Sequence, residues 1–416
     1  MNRNLSRNIF SLYLVQLANY IIPLLIIPFL TLRLGPSGFG AYSVIQVTLL
    51  YGQIIIDYGF LISATSRIAS RLGRGESIDD LYSRVLSLRV FLAVVAFAGG
   101  VLALWWHPAL MPTGSLLAAL AVFLLSQALT SLWLYQGYQE MHLVSAVILL
   151  TRLVAAGATL VFVRGPADVE LAVWAQSMAA LIAAAASLLA SRKYLLHFRF
   201  PPPAALWAEL RESWALFQSV MFGYLFLNSG LLILASFASL TVVGGYAVAE
   251  KVARALANML TPVTQAIYPR VAAEFGVSER QGTAYLIDKG RLVLLGGLLA
   301  GLLLALLVPL RVLPLIFGVK FQPYADALYW FAPWLFLGVL NNLLGIQYLS
   351  NVGASQSYAA LTAIASVVGA AAYFVLIPRV SYWGVPMGIL LGETCLSVLL
   401  LLTVYRRWQQ RREVRS

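Results

Sequence analysis

Apolar runs of about 18 residues or more recur along the whole chain, each long enough to cross a hydrocarbon core roughly 30 Å thick. A backbone in lipid has no water to bond to, so it must satisfy its own polar groups, as a helix or a closed barrel does. With 61% hydrophobic and 11% charged residues in 416, the runs read as helices at 9–32, 39–63, 84–106, 115–138, 143–163, 169–191, 214–238, 246–269, 286–309, 327–350, 358–378 and 382–405. The predicted fold class is an all-α polytopic membrane protein of about twelve transmembrane helices. The first run carries Pro23 and Pro28 and no small-residue cleavage site, so it reads as a retained helix and not a signal peptide.

The formal charge of +12 does not point to nucleic acid, because the basic residues sit at helix ends. With the N-terminus inside, one side holds Arg3, Arg7, Arg67, Arg71, Arg74, Arg84, Arg89, Arg192, Lys193, Arg199, Arg211, Arg270, Arg280, Lys289, Arg291 and the basic tail. The other side holds Arg33, Arg164, Arg311, Lys320 and Arg379. That asymmetry places both termini in the cytoplasm. Cys395 is the single cysteine, which leaves neither a disulfide nor a cysteine metal site, and His107, His142 and His197 lack metal spacing. The GPSGFG at 35–40 lacks the lysine of a phosphate loop and reads as a turn between helices.

A weak internal repeat divides the chain. Arg7-Asn-Ile-Phe-Ser-Leu-Tyr13 matches Arg211-Glu-Ser-Trp-Ala-Leu-Phe217 at an offset of 204, and FGAYSVIQ (39–46) lies over VGGYAVAE (243–250) at the same offset. One residue of slippage later, SRIAS (66–70) lies over PRVAA (269–273). Six helices per repeat put both halves in the membrane in one orientation, the parallel arrangement of many transporters, with a substrate path between lobes. The predicted domains are a six-helix lobe (1–191), a Pro-rich linker (192–213), a second six-helix lobe (214–405) and a basic tail (406–416).

Within the expected helices the polar residues are sorted. At 100° per residue, Glu250, Thr261, Arg254, Gln265, Asn258 and Lys251 fall within an arc of roughly 100°. Gln46, Gln53 and Asp57 share one face of the second helix with Ser43 nearby, and Gln16, Asn19 and Tyr20 share one with Pro23 in the first. Arg152 and Glu393 are further charges deep in apolar runs, where ionisable groups face a bundle interior or a cavity. The candidate anion-binding residues are Lys251, Arg254, Arg152, Arg67 and Arg270. The candidate coupling or ion-pair carboxylates are Asp57, Glu250 and Glu393, and the candidate polar lining is Gln46, Gln53, Asn258 and Thr261.

Structural alternatives stand beside these. Glu250 and Arg254 form an i,i+4 ion pair; Asp57 is satisfied by a neighbouring hydroxyl or a cytoplasmic-end Arg; Arg152 pairs with Glu393; Arg67 and Arg270 are interfacial anchors. Cations outnumber any acidic cluster, which favours an anionic substrate group over a cationic drug. No external loop is large enough for a catalytic domain, which argues against an enzyme; a non-transporting scaffold has no feature in its favour.

The chain resembles the polysaccharide flippases, Wzx-type translocases of lipid-linked O-antigen or capsule repeat units. These belong to the multidrug/oligosaccharidyl-lipid/polysaccharide exporter superfamily. The residues that carry the resemblance are Arg33-Leu-Gly-Pro-Ser-Gly-Phe-Gly-Ala-Tyr-Ser43, Asp57-Tyr-Gly59, Ser63-Ala-Thr-Ser-Arg67, Trp133-Leu-Tyr-Gln-Gly137 and Gly245-Tyr-Ala-Val-Ala-Glu-Lys251. The resemblance implies a V-shaped, MATE-like alternating-access transporter in the bacterial inner membrane. Its substrate is implied to be an undecaprenyl-pyrophosphate-linked oligosaccharide, moved from the cytoplasmic to the periplasmic leaflet. It implies no cofactor, coupling to a proton or sodium gradient, and a polysaccharide polymerase and chain-length regulator as companions. A multidrug extruder of the same superfamily is the alternative.

Overall fold

The computed structural model describes residues 3–107, 110, 112–194 and 197–413, with side chains described at residue 22 and over 25–409 apart from 219 and 226. The expected polar face of Gln16, Asn19 and Tyr20 with Pro23 therefore lies outside the described side chains, as do Arg3, Arg7 and the tail beyond Gln409. The expected apolar segments lie on helix except at Tyr58–Gly59, at Thr130–Ser131 and at some segment ends.

The chain forms two compact units, Met1–Met221 and Phe222–Ser416. The first contains α1 (Arg3–Asp57), α2 (Phe60–Gly73), α3 (Asp79–Trp105), α4 (Gly114–Leu129), α5 (Leu132–Gly137), α6 (Met141–Phe162) and α7 (Val169–Ser191). Helix α8 (Pro203–Phe237) carries the chain from the first unit into the second, so residues 203–213 of the expected linker are its first turns. The second unit continues with α9 (Leu240–Val277), α10 (Glu279–Leu306), α11 (Val312–Phe317), α12 (Ala327–Asn341), a π-helical continuation Asn342–Leu349, α13 (Ser355–Val380) and α14 (Gly384–Glu413).

Among the described residues, eight helical stretches are long and apolar enough to cross a membrane, or nine when the bent α8 is counted. Two of them, Leu25–Gly73 and Ser355–Gln409, run to 49 and 55 residues, more than the roughly 20 that one crossing needs. Helix α9 is not in that set, because its polar residues dilute its apolar ones.

The breaks follow from the sequence. In α1 the one non-helical residue is Gly35 (φ 66°, ψ 177°), a conformation open to glycine. Pro36 then supplies the preset φ of a helical first position, so the expected turn shrinks to one residue. Tyr58 (φ 42°) and Gly59 (φ 79°) break the helix expected at 39–63. A Cβ on Gly59 would sit 2.8 Å from Leu216 Cβ, so glycine lets α8 approach. There Tyr58 stacks on Phe217 with ring centroids 4.4 Å apart.

In the first unit, α2, α3 and α5 bury a cluster that includes Phe60, Ile68, Leu81, Val85 and Trp133, against which Leu206, Leu210 and Phe217 of α8 pack. Small residues on α7, such as Ala172, Ala179, Ala183 and Ser187, are buried against α4 and α6, as close-packed membrane helices require.

In the second unit the close approach is α10 to α12. A Cβ on Gly301 would lie 2.5 Å from the carbonyl oxygen of Ala332, a backbone atom that cannot rotate away. Gly301→Ala is expected to lower stability by about 1–3 kcal/mol, the range for overpacking, as read by denaturant unfolding of the purified chain in detergent. Gly338→Ala, with nothing within 4 Å of its Cβ, serves as the neutral comparison.

Candidate functional site

On α9 the three charges are arranged unequally. Glu250 is buried and accepts two hydrogen bonds from Arg254, from Nε at 3.0 Å and Nη2 at 2.7 Å. The i,i+4 spacing stacks the two residues on one face. Arg254 Nη2 also donates to the carbonyl of Leu227, where α8 is bent between Leu225 and Leu227. A bend deprives carbonyls of helical partners, and the guanidinium replaces one. Lys251 is half-buried and has no hydrogen-bond or ion-pair partner among the described residues. With Glu250 and Arg254 neutralising each other, Lys251 carries the remaining positive charge of the group. Further along, Asn258 is exposed and Thr261 lines a small cavity.

In the first unit, Asp57 accepts from Arg89 Nη1 at 2.7 Å. Arg89 is 4% exposed and also donates to the carbonyls of Gln127 (2.6 Å), Ala128 (3.1 Å) and Thr130 (3.4 Å). These carbonyls end α4, where the chain breaks at Thr130 and Ser131. The last carbonyls of a helix lack internal partners, so Arg89 caps that end and Asp57 balances the charge. Gln46 and Gln53 are half-buried above Asp57 on α1, and the Gln46 amide nitrogen and the Ser43 hydroxyl are buried with no partner among the described residues.

Arg152 on α6 is exposed and interacts electrostatically with Tyr42, whose hydroxyl accepts a hydrogen bond from the Gln176 amide. Under the repeat, Tyr42 corresponds to Tyr246, which is fully buried beside Glu250 and Arg254.

The other two candidate cations hold carboxylates. Arg67 forms a bidentate pair with Glu209 and a further bond to Glu212 at 2.9 Å. Arg270 pairs with Glu274 at 3.0 Å and is 68% exposed at its side chain. Glu393 on α14 accepts from the Asn341 amide at 2.6 Å, and Asn341 in turn accepts from Ser397 at 2.8 Å.

The structure thus groups Glu250, Lys251 and Arg254 together and sets Asp57, Arg67, Arg270 and Glu393 each in a separate cluster. Sequence reasoning did not single out Arg89, Glu209 or Asn341 as partners. The spacing of Arg89 and Glu209 at the ends of apolar runs marks them only as terminal charges, and Asn341 reads as one polar residue in an apolar segment. Among the described residues no three His, Cys, Asp or Glu side chains converge as metal ligands would.

This arrangement is that of a helical membrane protein with isolated charges lodged in its bundles, and the comparisons agree with it. The fold matches the lipid II flippase MurJ in its inward closed conformation with a TM-score of 0.70 at 9% identity, over 96% of this chain and 87% of that one. It also matches an inward-facing multidrug resistance MATE family transporter of the MOP superfamily, with a TM-score of 0.68 at 16% identity, over 95% and 96%. The chain has the all-helical fold of MOP superfamily transporters. A family model described as polysaccharide biosynthesis protein matches residues 5–274, more than half the chain, and the chain belongs to that family. It is 26% identical over 417 residues to the Escherichia coli (strain K12) protein named "Putative O-antigen transporter", covering 97% of this chain and 98% of that protein.

Proposed function

We propose that this protein is a flippase for an undecaprenyl-pyrophosphate-linked oligosaccharide, an O-antigen or a capsular or exopolysaccharide repeat unit. It moves this lipid from the cytoplasmic to the periplasmic leaflet of the bacterial inner membrane by alternating access, with both termini cytoplasmic. The observation that carries this reading is the near end-to-end similarity to the O-antigen transporter relative, 97% of one chain and 98% of the other. The unpaired charge supports it. Lys251 makes no hydrogen bond or ion pair among the described residues, and a pyrophosphate supplies an anion for it. Arg67 and Arg270 already hold carboxylates, so in this reading they do not bind the pyrophosphate and Arg254 acts only beside Lys251.

Coupling to a proton or sodium gradient is part of the same proposal. Asp57 and Glu250 are each ion-paired with a guanidinium. Glu393 faces the neutral Asn341 amide, so it can take a proton without stranding a cation, and it is the carboxylate proposed to titrate. A polymerase and a chain-length regulator are the proposed downstream partners.

The test is rescue of a strain that lacks its O-antigen flippase. Expression of this chain is expected to restore surface polysaccharide and to clear lipid-linked repeat units from the inner leaflet. No rescue across strains of differing repeat unit, together with a gain of resistance to cationic drugs, overturns the reading in favour of a multidrug extruder.

A further inference from the structure

The first turns of α8 have two faces. At 100° per residue, Glu209, Ser213, Leu206, Phe217 and Leu210 share an arc of about 100°, and the structure holds that arc inward. Leu206, Leu210 and Phe217 pack on the cluster of α2, α3 and α5, Glu209 is buried, and Ser213 meets Ser63 at 3.0 Å. Trp207, Arg211 and Trp214 fall on a separate arc of about 60°. Trp207 is 70% exposed, and Trp214 is 48% exposed while its ring also lies 5.6 Å from that of Phe217. Arg211 is exposed between them.

We propose that this outer face, with the residues just before it, is a docking surface for anionic phospholipid headgroups of the leaflet at which α8 begins. Trp207, Trp214 and Phe200 sit in the headgroup layer, and Arg199 and Arg211 hold lipid phosphates. The leaflet is the cytoplasmic one in the orientation proposed above; the docking itself does not depend on what the chain transports.

The helix brings this face to the bilayer. Pro203–Leu225 and Leu227–Phe237 together are long and apolar enough for one span, so the first turns of α8 emerge through a headgroup layer, where tryptophan is enriched. Residues 197–202 lead into the helix without regular structure. Phe200 in that stretch is 91% exposed and meets Phe198 edge to face, with centroids 5.2 Å apart. The backbone beneath these rings is fixed to α3: His197 N–H donates to Asp79 Oδ1 at 3.2 Å and Arg199 N–H to Ser83 Oγ at 3.0 Å. Exposed aromatic side chains on a fixed backbone mark an interaction surface.

The charges identify the partner's chemistry. Arg67, Arg74, Arg84 and Lys193 all pair with carboxylates. The side chains of Arg199 and Arg211 make no hydrogen bond or ion pair among the described residues. Glu209 and Glu212, the acids beside Arg211 in sequence, hold Arg67 and Arg84 instead. A free guanidinium matches a phosphate with two parallel bonds, and basic residues at a bilayer attract anionic lipid. A water-soluble anion would engage the arginines and leave the aromatic rings in water, whereas a lipid engages both.

The test uses the full chain in nanodiscs, with a fluorophore on Ala204→Cys in a Cys395→Ser background. Ala204 is exposed beside the Trp207 arc. Quenching is compared for phosphatidylglycerol and phosphatidylcholine, each carrying a nitroxide high on its acyl chain. The wild-type surface is expected to favour phosphatidylglycerol about fivefold or more, the scale of one basic residue at an anionic surface. Arg199→Gln combined with Arg211→Gln is expected to bring the two lipids level and to leave the denaturant midpoint unchanged, since neither side chain bonds within the protein. Arg379→Gln removes an exposed cation expected at the other membrane face and should keep the preference. Equal quenching by both lipids in the wild type overturns the surface, as does a preference that survives the double variant or is lost equally in Arg379→Gln. Quenching by neither lipid also overturns it, and leaves this face free for a soluble partner. The assay reads lipid contact and not transport, so each of these outcomes leaves the flippase reading standing.

Discussion

Glu209→Ala is expected to destabilise the protein by about 3 kcal/mol, the lower end for breaking a buried pair from one side. The Glu209 side chain is 2% exposed. It receives Arg67 in a bidentate pair and Arg84 Nε at 3.2 Å, so one carboxylate holds two guanidiniums. Removing it leaves both beside each other. The loss stays near the lower end because Arg67 keeps Glu212 and Arg84 keeps Asp80. The same carboxylate anchors the start of α8 on α2 and α3, next to the Ser63–Ser213 hydroxyl pair at 3.0 Å and the Tyr58–Phe217 stack. Denaturant unfolding in detergent measures the loss, and limited trypsin digestion is expected to cleave near Arg211 in the variant before the wild type. Glu209→Gln keeps the acceptor oxygen and loses the charge, so it should fall between them. A variant within about 0.5 kcal/mol of wild type would mean that Leu206, Leu210 and Phe217 suffice to dock this segment.

The contrast between Glu209 and the apolar runs shows what the sequence made legible. Each run has to satisfy its own backbone inside lipid, so hydropathy found the helical segments but not their ends: α8 begins at Pro203 and α9 runs on to Val277, well outside the expected 214–238 and 246–269. The breaks were partly readable: Gly35 before Pro36 is a local signal, whereas the break at Thr130 and Ser131 depends on Arg89, which lies about forty residues earlier and donates to the carbonyls exposed there. The Glu250–Arg254 pair was legible because both partners lie on one turn. Asp57–Arg89 and Arg67–Glu209 join different helices, and a single sequence carries no record of which helix packs on which. The polar arc of α9 was visible from spacing alone, but not the division of labour within it, since the Leu227 carbonyl that engages Arg254 belongs to α8.

That division gives the second large effect. Lys251→Glu is expected to leave a folded, inserted protein and to abolish translocation, with loss of surface polysaccharide and accumulation of lipid-linked units on the inner leaflet. Lys251 makes no hydrogen bond or close ion pair among the described residues, only a longer-range attraction to Glu250, so stability should stay within about 0.5 kcal/mol of wild type for Lys251→Ala. A charged hydrogen bond to a pyrophosphate contributes about 1.5–3 kcal/mol, so the alanine variant should lose roughly tenfold or more in transport, and reversal adds repulsion. Glu250→Ala and Arg254→Ala are expected to behave differently. Each strands a charged group in a pair whose carboxylate is 11% exposed, and the arginine variant also leaves the Leu227 carbonyl unpaired, so both should lose stability by about 3–5 kcal/mol along with transport. The two readouts separate the roles: Lys251 variants move transport alone, and Glu250 and Arg254 variants move unfolding as well. Reversing Lys251 and Arg254 together should combine both losses. Normal surface polymer in cells carrying Lys251→Glu would remove Lys251 from the substrate path, and the polar arc of α9 would then be a structural seam held by one ion pair.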